Sequence, residues 1–113
     1  MDQECIELCN AMNLMPGIAT VESCCGHGDH PYHIWFWAED IGCLPDLLYW
    51  FDSCHCGYQG WCVKVKTDCA KRPATFYVEG PVGEEAYTQA LEIARLIEKD
   101  AIEIEQTEKA NGD

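Results

Sequence analysis

The sequence predicts a single layered α+β domain over residues 1–106, built on a mainly antiparallel four-stranded sheet in the order α-β-β-α-β-β-α, with a polar tail at 107–113. Three observations predict it. Apolar residues recur at helical spacing in three stretches, and β-branched and aromatic residues cluster in four short runs. Turns rich in Gly and Pro separate these stretches, with no linker and no internal repeat. A chain of 113 residues that is 48% apolar is long enough to close one core.

Cys5, Leu8, Cys9 and Met12 mark one face of a first helix, which Pro16-Gly17 ends. Ile18 to Ser23 is a β-branched run that enters a turn where Gly26 and Gly28 can take positive φ. From Tyr32 to Ala38 the side chains alternate, with Tyr32, Ile34, Phe36 and Ala38 on one face and His33, Trp35 and Trp37 on the other. Both faces are mostly apolar. The strand is therefore either covered on both sides, the commoner arrangement, or lines a ligand cavity with its second face.

Pro45 and Asp46 suit the first turn of a second helix over 44–51, where Leu44, Leu47, Leu48 and Phe51 form a stripe. Trp61, Val63 and Val65 alternate with Cys62, Lys64 and Lys66, and Thr75 to Val78 is another β-rich run. These two should pair as a hairpin through Asp68 to Pro73. Glu84 and Glu85 open a last helix with Tyr87, Ala90, Leu91, Ala94, Ile97, Ala101 and Ile104 along one face. It should run about 20 residues, roughly 30 Å, before the tail frays.

The formal net charge of −13 is shared by both halves of the chain, so extended nucleic acid and anionic membrane are poor partners. A small anionic ligand in a local basic or His-lined pocket stays compatible with it. The start Met1-Asp2-Gln3-Glu4 lacks the positive charge of a secretory leader, which leads us to expect an intracellular, cytoplasmic protein whose nine cysteines are reduced. Cys5, Cys9, Cys43 and Cys62 then read as small core residues.

Chemistry concentrates in Ser23-Cys24-Cys25-Gly26-His27-Gly28-Asp29-His30-Pro31-Tyr32-His33. Cys25, His27 and His30, joined by Cys54 and Cys56 from a second cluster, offer thiolates and imidazoles suited to zinc, although the spacings match no standard zinc signature. His27 and His30 are also the candidate acid and base of a phosphodiester-cleaving enzyme. Cys24 or Cys25 with a histidine base would give covalent catalysis. The third constellation is aromatic. Trp35, Trp37 and Trp61 offer flat surfaces for a nucleobase, and Lys64, Lys66, Lys71 or Arg72 could meet phosphate.

The strand entering Ser23-Cys24-Cys25-Gly26-His27-Gly28 resembles the Ser-Ser-Cys-Ser-Gly-Arg turn of the wybutosine-synthesis tRNA methyltransferase-like family, and small uncharacterised phage proteins carrying Ser-Cys-x-Gly-His-Gly. Ser23, Cys24 and Gly26 match that pattern, Cys25 replaces a serine, and His27 replaces an arginine. The resemblance implies an α+β domain whose turn faces a nucleotide-sized pocket, with Ser23, Cys24, Gly26, His27, Gly28 and His30 around it. It also suggests a module that sequesters a nucleotide-type metabolite or immune signal. The alternatives are a His- or metal-dependent enzyme acting on a nucleotide and a zinc-stabilised protein-interaction module, and each is compatible with a homo-oligomer.

Overall fold

The structure, a computed structural model, describes residues 3–66 and 75–111. Its elements are α1 (Gln3–Leu14), β1 (Ile18–Cys24), β2 (Pro31–Ala38), α2 (Leu44–Tyr49), α3 (Ser53–Cys56), β3 (Cys62–Lys66), β4 (Thr75–Val82) and α4 (Glu84–Asn111). The four strands form one antiparallel sheet in the order β1-β2-β4-β3, which is the expected α+β architecture. β3 and β4 do pair as predicted. The hairpin loop from Asp68 to Pro73, with Lys71 and Arg72, and the side chain of Lys66 lie outside the described residues.

The helices gather on one face of the sheet. Tyr32, Ile34, Phe36 and Ala38 of β2 are fully buried there, together with Cys5, Leu8, Cys9 and Met12 of α1 and Ala86, Ala90, Ile93, Ala94 and Ile97 of α4. Side chains on one face of a strand recur every second residue, so this burial leaves His33, Trp35 and Trp37 pointing to the other side. Polar bonds pin the layers. Tyr32 donates its hydroxyl to the Glu4 carbonyl at 2.9 Å, and Asn13 bonds both the hydroxyl and the backbone amide of Thr20 at 2.9 and 2.8 Å.

Three expectations are corrected. α4 spans 28 residues, about 42 Å at 1.5 Å per residue, because the helix continues through residues 107–111 where fraying was expected. Glu108, Lys109 and Ala110 at its centre all have good helix propensity. Its buried stripe also differs: Ala86 and Ile93 face the sheet, whereas Leu91 is 41% exposed. The second helix stops at Tyr49, and α3 follows as a separate short turn. Asp52 caps it by accepting from the Cys54 amide at 2.9 Å, and Gly57 closes it with φ of 84°. Finally, Cys62 is exposed, while Cys5 and Cys9 are core residues and Cys43 is half-buried against it.

Candidate functional site

Strand pairing lays out in rows the sheet face opposite the described helices. Cys24 aligns with His33, His33 with Glu79 and Glu79 with Cys62, so one row crosses all four strands. The next row is Glu22, Trp35, Tyr77 and Lys64, and the third brings Trp37 beside Ala19 and Thr75. Trp35, Trp37 and Tyr77 are half-buried on this face. All helical side chains in the hydrophobic cluster lie on the opposite side, so among the described residues no helix covers it. The doubly covered strand expected from its aromatic content is thereby corrected. Among the described residues its second face meets neighbouring strands and no helix.

Among the described side chains Lys64 brings a cation to this face. Its ammonium lies 3.3 Å from Glu79 Oε1 and 5.8 Å from the centre of the Tyr77 ring. The bond to the Glu79 carboxylate, with its charge, holds the Lys64 pKa above the ordinary value. His33 continues the surface toward the turn, its ring 6.4 Å from that of Trp35 and its Nδ1 3.3 Å from the Pro31 carbonyl.

The turn itself is a single tight 3₁₀ loop at Gly26–Gly28. Gly26 and Gly28 have φ of 84° and 85°, and His27 between them is also left-handed at φ of 53°. A non-glycine residue in that region is strained by roughly 1–2 kcal/mol. Two thiols hold it in place: Cys24 Sγ accepts from the Gly26 amide and Cys25 Sγ from the His27 amide, each at 3.4 Å. Cys25 is buried, 3.8 Å from His27 Nδ1, and bonds the Tyr87 hydroxyl of α4, which raises the tyrosine pKa. The imidazoles of His27 and His30 stand exposed above this base.

The predicted site residues therefore separate into three places. Cys24, Trp35 and Trp37 lie on the sheet face opposite the described helices, and Gly26, His27, Gly28 and His30 form the adjoining turn. Ser23 belongs to neither. Its hydroxyl is buried without a nitrogen or oxygen partner, beside the Cys9 thiol on the α1 side. Trp61 is also a correction: it is only 7% exposed, sits on the core side against Tyr32 and Phe51, and donates its indole N–H to Gln89 Oε1 at 2.9 Å. It borders a shallow cavity of about 480 Å³ with Leu48, Phe51 and Tyr58, away from Trp35 and Trp37.

The metal set is not brought together. Among the described residues no group of three or more His, Cys, Asp or Glu side chains is arranged to hold a metal ion. Cys54 is exposed on α3, and Cys56 Sγ accepts from the Tyr58 amide at 3.4 Å. His55 stacks on Tyr49 with centroids 3.5 Å apart. Tyr77, Glu79 and Tyr87 were absent from the predicted site. The alternation of Cys62, Lys64, Tyr77 and Glu79 against Val63 and Val78 was the signal for the first two. For Tyr87 no local signal existed, since its partners are about sixty residues away.

Together these features define a small α+β protein with one helix-free aromatic sheet face, continuous with a histidine-bearing turn. The chain matches no family model, and no curated protein or solved structure is significantly similar to it. No described helix is long and apolar enough to cross a membrane.

Proposed function

We propose that the protein binds the planar base of a nucleotide-type ligand on the aromatic sheet face that no described helix covers, and holds it without turnover. The observation that carries this reading is the alignment of Trp35 and Tyr77 across neighbouring strands, with Trp37 alongside and Lys64 at the end of the row. Aromatic side chains stack on any base at about 1–3 kcal/mol per base. Lys64 supplies a positive charge within reach of a phosphate, although Glu79 shares it, and the exposed His27 and His30 with the half-buried His33 add donors on the turn side. Such a module would sequester a nucleotide signal.

Isothermal titration with purine mononucleotides and cyclic dinucleotides tests the reading, with native mass spectrometry of the complexes. We expect binding of at least one of them, an adduct of unaltered ligand mass, and a loss of about tenfold or more in Trp35→Ala. Silence across the whole panel, or affinity indifferent to Trp35, would overturn it. The Cys25 thiol and His27 imidazole, 3.8 Å apart at a strained turn, favour a second reading, an enzyme acting at the turn. In that case the ligand mass changes, and His27→Ala abolishes the change while binding persists.

A further inference from the structure

Among the described residues, nothing packs on the face of the helical layer that looks away from the sheet. Two cavities sit along the seam between α1 and α4. The first, about 310 Å³, is lined by Glu4, Ile6, Glu7, Tyr87 and Leu91. The second, about 220 Å³, lies between Leu14 and Pro16 of the α1 end and Ile102 and Glu105 of α4. The two helices therefore run parallel, and the seam is apolar at both ends. Leu14 and Ile102 are 54% and 46% exposed, and Ile6 and Leu91 are exposed as well. Exposed apolar residues paired across a groove at two places differ from singly scattered ones.

We propose that this seam is a docking groove for a basic amphipathic helix of a partner protein. Leu91 and Ile102 stand 11 positions apart on α4, about 16 Å along the axis, so three turns of a docked helix would set one apolar side chain in each cavity. Charge selects the occupant. Glu4 and Glu7 rim the first cavity, while Arg95 and Glu98 between the two cavities cancel. The whole chain carries −13, so a second copy would bring like charge to like, whereas a lysine-rich helix finds a complementary rim. The groove lies on the side of the helices opposite the aromatic sheet face, so this inference stands independently of the ligand reading.

The test uses two fluorescein-labelled synthetic peptides of identical lysine and leucine content, one with its leucines on a single helical face and one scrambled. Fluorescence anisotropy is read with the full chain and with Leu91→Ser/Ile102→Ser, whose positions are exposed enough to leave the fold intact by circular dichroism. We expect the amphipathic peptide to bind about tenfold or more tighter than the scrambled one, and the double variant to lose that advantage. Added salt should weaken both peptides, and Glu4→Gln/Glu7→Gln should reduce that salt sensitivity. Equal binding of the two peptides, or affinity untouched by the double variant, would overturn the proposal by leaving only charge attraction. Sedimentation showing a dimer of the free chain that the double variant dissolves would overturn it as well, assigning the groove to a second copy.

Discussion

Trp61 and Trp35 show how one residue type serves two ends. Trp61 packs its ring against Gly80, where a Cβ would lie 2.6 Å from the indole, and satisfies its N–H on Gln89. Trp61→Ala should therefore cost about 3–5 kcal/mol in urea denaturation, the range for removing a buried aromatic. Gly80→Ala should cost about 1–3 kcal/mol by forcing the same ring to move. Trp35→Ala should cost clearly less, because the ring is half-buried on a face that no described helix covers, while under the proposed function it should weaken ligand binding. A Trp35→Ala variant as unstable as Trp61→Ala would show that Trp35 is core. In the sequence the three tryptophans Trp35, Trp37 and Trp61 look equivalent. Strand alternation separates them only once it is known which face the helices take.

At the scale of elements, two tertiary bonds explain how the short α2–α3 segment keeps its place. Trp50 donates its indole N–H to Asp100 Oδ2 at 2.9 Å, and the Tyr58 hydroxyl bonds Glu92, so the segment is tied to α4 at its middle and just past its C-terminal end. Trp50→Phe keeps most of the ring and loses one bond to a carboxylate, which should cost about 1.5–3 kcal/mol. The same loss combined with Asp100→Ala should be less than additive, and a double-mutant cycle measures the difference. Most elements were legible in the sequence because their period is local: the alternation in β2 and the spacing of Cys5, Leu8, Cys9 and Met12 need no tertiary knowledge. The rest was not. α3 has both its caps, Asp52 and Gly57, but four residues between them carry no periodic pattern, and the cysteines there drew the eye to metal binding. The α4 stripe was displaced onto Leu91 because an apolar residue at helical spacing does not say whether a neighbouring helix or water covers it. The histidine turn was legible as an exposed connection. Its anchoring by Cys25 and Tyr87 was not, since that depends on how α4 crosses the sheet.

For the molecule as a whole, buried ionisable groups set an alkaline limit on stability. Burial raises the pKa of the Cys9 thiol above its ordinary value of 9.0, against the smaller lowering influence of its hydroxyl neighbours Ser23 and Thr20. Burial likewise raises Tyr32 above its ordinary 10.0, with the nearby Cys5, Cys9 and Cys25 acting in the same direction. The unfolded chain ionises at the ordinary values while the folded chain keeps these protons, so above pH 9 the native state binds more protons than the unfolded one. Stability then falls with rising pH, by about 1.4 kcal/mol per pH unit for each group fully engaged. Below the ordinary thiol value neither group contributes a slope. Thermal melting in reducing buffer at half-unit steps from pH 7 to 11 should show no contribution from this pair up to about pH 9, then a decline that steepens once Tyr32 joins Cys9 near pH 10. Cys9→Ala should delay the onset toward the tyrosine range, beyond whatever constant loss the smaller side chain brings. A variant curve parallel to the parent through pH 9 to 10 would show that Cys9 is not the group that titrates. Added salt offers the complementary check: it should lift the whole curve by screening the repulsion within a chain of net charge −13 and leave the onset where burial places it.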